Sequence, residues 1–300
     1  MGKPPVELQA ALKPRFELKR ELGRGGMGIV LLAHDTRLER DVALKVLTPE
    51  ISSAFGAERF EREIRLTARL VHPNLVPLFD SGQVGKSLYY VMPYIDGETL
   101  RQRAERDRCL PVKDVLRITA DLAEALAYAH AMGAVHRDLK PENVFEYRGR
   151  SLLADFGVAF SPMEAAGGRI TESGSVIGSP MYLSPEQAEG EVGKLDGRTD
   201  LYSLGCVMFE LLTGRPPFDG PNAMSIIVAH VTSPAPRVRA SRPEVPEELC
   251  ELVADLMAKK RDERPPNAGA LLERLRQLEE GRAPLPTRVS PPGSSPLPPL

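Results

Sequence analysis

Three cysteines, Cys109, Cys206 and Cys250, are the only thiols in this 300-residue chain, and no two of them form a C-x-x-C pair. An odd, scattered set argues against zinc or redox chemistry and fits small apolar side chains in a reducing compartment. No apolar run is long enough to span a bilayer, and no secretory signal is read at the start. Met1-Gly2 is not read as a myristoylation signal, because Val6 stands where Ser or Thr is wanted. Neither sign of charge is in excess. The net charge of −2 argues against a general binder of nucleic acid or of a membrane surface. The expected location is the cytoplasm.

What is present falls into two halves. From Phe16 to about Val91 the chain carries short β-branched and apolar runs, such as Ile29-Val30-Leu31-Leu32 and Val42 to Leu47, which read as strands. One helix interrupts them. Phe60, Ile64, Thr67 and Val71 recur at helical spacing, and His72-Pro73-Asn74 stops the pattern. After Tyr94-Ile95-Asp96-Gly97 the character turns helical, with Val115, Ile118, Leu122, Ala125, Leu126 and Ala129 on one stripe ending at Gly133. Leu201 to Leu212 is apolar nearly all round yet too short for a membrane, so it is expected to be a buried central helix. A last helix carries Leu271, Leu272, Leu275 and Leu278. Beyond it prolines crowd a segment with few large apolar groups, which reads as a disordered linker.

The chemistry concentrates in His136-Arg137-Asp138-Leu139-Lys140-Pro141-Glu142-Asn143, followed by Asp155-Phe156-Gly157. These runs supply a base, cations and two metal-ligand types. Phosphoryl transfer from ATP needs such groups close together, because it proceeds mainly by positioning and charge neutralisation. Upstream, Leu22-Gly23-Arg24-Gly25-Gly26-Met27-Gly28-Ile29-Val30 places glycines between two expected strands, where backbone N–H groups can approach phosphates. A strand follows this loop, not a helix, which excludes a Rossmann context and leaves a phosphate loop or an ordinary hairpin. Lys45 lies on the next strand. Its functional use depends on a carboxylate to hold it, and the helix offers Glu58, Glu61 and Glu63; Glu63 is chosen because it precedes Ile64 on the buried face.

In order, Gly23 to Val30, Val42 to Lys45, His136 to Asn143, Asp155 to Gly157 and Ser184-Pro185-Glu186 resemble the protein-kinase signature set. The resemblance covers roughly residues 16–279, and is closest to bacterial members of the eukaryotic-like (Hanks-type) Ser/Thr kinases. It implies an α+β, bilobal protein-kinase fold: a small, mainly antiparallel β lobe with one regulatory helix (16–92), a hinge (93–97) and a large, mainly α lobe (98–279). Residues 1–15 are then an N-terminal extension and 280–300 a Pro-rich tail.

The resemblance also implies roles. Asp138 accepts or orients the substrate hydroxyl proton, Lys140 steadies the transferred phosphoryl group, and Asn143 with Asp155 holds Mg²⁺, with Mn²⁺ as an alternative ion. ATP lies under the loop from Leu22 to Val30, with Lys45 on its phosphates and Glu63 on Lys45. Met92 faces the back of the adenine pocket, the Pro93 carbonyl and the Ile95 N–H contact the ring edge, and Val30, Ala43 and Phe145 sandwich it. Pro93 departs from the commoner Glu but keeps its carbonyl. Asp200 ties the central helix to the His136-Arg137 turn, and Arg264 pairs with Glu186. Lys140 resembles the Ser/Thr-specific form, so protein Ser or Thr hydroxyls are the expected substrates.

Between Asp155 and Glu186 lie Thr171, Ser173, Ser175 and Ser179. A phosphate on this loop can pair with Arg137, so autophosphorylation at Thr171, Ser173 or Ser175 is expected to order it. Ser179 resembles a substrate-contacting residue. Family likeness further implies a homodimer through the small lobe, and membrane tethering if the chain continues past Leu300. A pseudokinase scaffold would be expected to lack Lys45, Asp138 or Asp155, and all three are present. An aminoglycoside-type small-molecule kinase would not be expected to carry Ser184-Pro185-Glu186, Asp200 and Arg264 together.

Overall fold

The computed structural model describes residues 6–156, 180–191, 193 and 195–280. Its first half is an antiparallel sheet in the order β1-β2-β3-β5-β4, built from β1 (Phe16–Gly25), β2 (Gly28–Asp35), β3 (Arg40–Leu47), β4 (Asp80–Val84) and β5 (Ser87–Pro93). β1 and β2 close at Gly25 opposite Gly28, which leaves Gly26 and Met27 at the hairpin tip. Only glycine fits at position 28: a Cβ there would lie 2.1 Å from the Val46 carbonyl oxygen on β3. The Thr48 N–H donates to the Met27 carbonyl at 3.1 Å, so the tip is pinned to the end of β3.

Helices flank the sheet. α1 (Val6–Leu12) lies within the N-terminal extension and buries Leu12 beside Phe16 and Leu18. α2 (Pro49–Phe55) starts where Thr48 caps the Ile51 N–H and Pro49 occupies the first turn. α3 (Ala57–Thr67) is the helix expected from the sequence, with Phe60, Ile64 and Thr67 buried. Val71 is a correction: it lies beyond the helix and is 76 % exposed. The helix ends four residues earlier, where the Thr67 hydroxyl turns back to the Glu63 carbonyl at 2.9 Å.

The second half is helical apart from one small sheet, β6 (Glu98–Thr99), β7 (Val144–Tyr147) and β8 (Arg150–Leu153). α4 (Leu100–Asp107) begins at a reciprocal cap between Thr99 and Gln102. α5 (Val112–Ala131) buries the stripe read from the sequence. After α6 (Pro185–Ala188) comes α7 (Gly197–Thr213), in which every residue from Thr199 to Leu212 is buried, as an all-round apolar pattern requires. It stops at Gly214, whose φ of 77° is the left-handed cap conformation. α8 (Ala223–Thr232), α9 (Glu247–Leu256) and α10 (Ala268–Glu279) complete this lobe around one core that joins α5, α7 and α9. Among the described residues no helix is long and apolar enough to cross a membrane.

Candidate active site

β7 and β8 form a hairpin in which Val144 faces Leu153. That register sets Asn143 and Ala154 side by side, with the Ala154 N–H on the Asn143 carbonyl at 2.8 Å, and Asp155 follows at once. The two expected metal ligands are therefore neighbours through the hairpin, although 12 positions separate them in sequence. Just before Asn143, Pro141–Asn143 forms a single tight helical turn that folds the chain back over Asp138. The Asn143 amide nitrogen donates to the Asp138 carbonyl at 2.8 Å and to its carboxylate at 3.2 Å. The Lys140 ammonium donates to the same carboxylate oxygen at 2.7 Å. Burial alone would lower the Lys140 pKa, but Asp138 beside it holds the ammonium above its ordinary value.

This turn hangs on the central helix. The buried Asp200 carboxylate accepts the backbone N–H groups of His136 and Arg137, each at 2.8 Å, and contacts the His130 ring at 2.7 Å. Arg137 sits at a φ of 67° and Asp155 at 61°, conformations that side-chain-bearing residues adopt only when their surroundings enforce them. For Arg137 the enforcing bonds are visible: Asp200 holds its N–H, and the Gln187 amide donates to its carbonyl at 2.8 Å. The His136 ring lies between the Ala154 carbonyl at 2.9 Å and the Phe156 ring, whose centroid is 4.8 Å away. Arg264 grips Glu186 through two nitrogens at 2.8 and 2.9 Å, with Thr199 as a further donor. Both structural anchors expected from the sequence are formed.

The small-lobe side differs from expectation at one point. Lys45 pairs with Asp155 at 2.5 Å, while Glu63 pairs with Arg62 at 3.5 Å; the expected Lys45–Glu63 pair is not formed. The two carboxylates are similarly shielded from water, and Glu63 has a second cation within reach on its own helix, the exposed Arg62. Burial by itself would raise the Asp155 pKa, yet the Lys45 charge and hydrogen bond, with a hydrogen bond from Tyr90, hold it below its ordinary value.

Leu22, Val30, Ala43, Met92, Ile95 and Phe145, the residues expected around adenine, all join one apolar cluster that draws on both lobes. Pro93 ends β5 opposite Val42, and Ile95 follows outside the strand. Arg24 is turned to Glu21, at 2.9 Å, and a Cβ at Gly23 or Gly25 would meet open space. Thr171, Ser173, Ser175 and Ser179 lie outside the described residues.

Three contributors were not read from the sequence. The Tyr90 hydroxyl donates to Asp155 at 2.8 Å, and the Thr67 hydroxyl donates to the Phe156 carbonyl at 3.1 Å, so both sides of this turn touch the small lobe. His130 completes the shell of Asp200. A tyrosine in an apolar strand reads as core, and only His130, near the end of an amphipathic helix, carried a detectable polar signal.

Comparison with known proteins agrees with this bilobal fold. The family model described as the protein kinase domain matches residues 16–274. The serine/threonine-protein kinase PknB of Mycolicibacterium smegmatis is 40 % identical over 281 residues, covering 91 % of this chain and 44 % of that protein. PrkC of Bacillus subtilis is 38 % identical over 247 residues, covering 82 % and 37 %. The crystal structure of the Mycobacterium tuberculosis PknI kinase domain, in a point-mutant form, superposes with a TM-score of 0.71 at 31 % identity, covering 88 % of this chain and 95 % of that one. The chain spans less than half the length of these two curated relatives. With motifs, bilobal fold and family model in agreement, the chain belongs to the protein kinase family.

Proposed function

We propose that this chain is a Ser/Thr protein kinase domain that transfers the γ-phosphate of ATP to protein hydroxyls. The observation that carries the proposal is the single unit formed by Asp138, Lys140, Asn143 and Asp155, with Lys45 reaching it from β3. Asp138 accepts the hydroxyl proton, and Lys140, already within hydrogen-bond reach of Asp138, neutralises charge on the phosphoryl group. Both are held before substrate arrives, so little reorganisation is needed at the moment of transfer.

The donor set fits a hard divalent cation. Asn143 spends its amide nitrogen on Asp138, which leaves the amide oxygen as a ligand, and Asp155 adds a carboxylate. Two protein oxygen ligands suit Mg²⁺, which is commonly bound by one or two carboxylates together with substrate phosphates. Mg²⁺ bound by Asn143 and Asp155 would supply charge neutralisation on the phosphate oxygens. Lys45 then exchanges Asp155 for Glu63 and the nucleotide phosphates. Protein Ser or Thr residues are the substrates this reading implies.

Labelling with radioactive ATP and Mg²⁺ tests the reading by comparing the chain with Asp138→Asn and Lys45→Met. Loss of the base should cost about 10²–10⁴-fold in turnover while ATP affinity stays nearly constant. Equal labelling of all three proteins would sink the proposal.

A further inference from the structure

Lys45 on β3 and Tyr90 on β5 are direct cross-strand partners, so they leave the sheet on the same face. They meet one carboxylate from two directions: the ammonium takes Oδ2 of Asp155 at 2.5 Å and the phenol donates to Oδ1 at 2.8 Å. The two donors are not equivalent. Lys45 stands on a flexible four-carbon stem and can change partners. Tyr90 is 2 % exposed and shares an apolar cluster with Phe60, Ile64, Val76 and Leu88, so its hydroxyl has one place to be.

We propose that Tyr90 is a positioning residue for the metal ligand: its hydroxyl fixes the Asp155 carboxylate through Oδ1, so that Oδ2 is the oxygen presented to the cation once Lys45 leaves it. The inference rests on the kinase reading above. A bound cation and the hydroxyl do not compete for one site, because a carboxylate has about four lone-pair positions. Hydrogen bonds to ligating carboxylates commonly tune metal affinity in this way, and their loss costs about 10–100-fold.

The test is a calorimetric titration of Mg²⁺ into protein saturated with a non-hydrolysable ATP analogue, using the unaltered chain, Tyr90→Phe, Tyr90→Met and Asp155→Asn. Melting temperatures and metal-free analogue affinities are measured on the same samples. The expected result is an approximately tenfold weaker Mg²⁺ affinity in both Tyr90 variants, with metal-free analogue affinity unchanged. Unaltered Mg²⁺ affinity in both variants, with or without a lower melting temperature, would overturn the proposal and leave Tyr90 a packing residue. If the unaltered chain and Asp155→Asn bind Mg²⁺ alike, the kinase reading itself fails, and this proposal with it.

Discussion

In the large lobe the catalytic turn hangs on Asp200 through two backbone N–H groups, whereas in the small lobe Lys45 reaches the site by a side chain that has already chosen among anions. The first arrangement is locked by burial. Asp200 is fully buried on a helix that is itself buried, and releasing it would strand donors at His136 and Arg137. The second arrangement rests on side-chain ion pairs alone: Asp155 is paired with Lys45, and Glu63 with Arg62. The Asp138 turn is thus held by buried backbone contacts, and Lys45 is held by one side-chain ion pair.

The sharpest way to break this comparison is Asp200→Ala. A buried carboxylate that accepts from two N–H groups and a histidine is worth about 3–5 kcal/mol when removed alone, and a domain of this size loses about 2–4 °C of Tm per kcal/mol. A fall of about 10 °C is expected by calorimetry. An unchanged Tm would mean that the large-lobe turn is not anchored as described.

Acid probes the same anchors more gently. The Asp200 pKa would be raised by burial, but the His130 hydrogen bond and nearby donors bring it below its ordinary value; for Glu186 the Arg264 contacts overcome burial in the same direction. A carboxyl whose folded pKa is depressed binds fewer protons folded than unfolded, so its stabilisation is complete above the unfolded value, near pH 4, and is lost as pH falls through the folded one. Stability should hold down to about pH 5 and then decline. Arg264→Met removes the largest opposition to burial at Glu186 and leaves only the Thr199 and backbone hydrogen bonds, so its acid-unfolding midpoint should move to higher pH than that of the unaltered chain.

The legibility of these features from sequence follows the same divide. His136 to Asn143 is one continuous run, so local spacing alone brings Asp138, Lys140 and Asn143 together, and a hairpin adds Asp155. Asp200 and Arg264 were assigned through family likeness, and the bonds they form match. Glu63 precedes the buried Ile64 on α3 and is itself only half-buried, and periodicity does not say which of two cations holds it. Val71 fitted the stripe although the helix had ended, because a continued period costs nothing in a sequence pattern while Thr67 had already turned to the backbone. α2 carried a readable start in Thr48-Pro49-Glu50 that strand-like surroundings concealed. Tyr90 gave no signal, since its partner lies 65 residues away and apolar strands often hold tyrosine.

Glu63→Gln sharpens the comparison with the smallest structural disturbance. Its ion pair with Arg62 spans 3.5 Å, and Arg62 is 76 % exposed, so the pair contributes at most about 1 kcal/mol and Tm should hardly move. Catalysis is expected to respond differently. If Lys45 must leave Asp155 for Glu63 before transfer, a neutral amide at position 63 weakens the pull on the ammonium and the resting Lys45–Asp155 pair gains weight. Losing one charge-assisted hydrogen bond is worth about 1.5–3 kcal/mol, so kcat/KM should fall by about tenfold or more. Steady-state kinetics beside a melting curve separate the outcomes: a large kinetic loss at constant Tm supports an exchanging Lys45, whereas unchanged kcat/KM means that Lys45 works from Asp155 and that the small-lobe half is as fixed as the large.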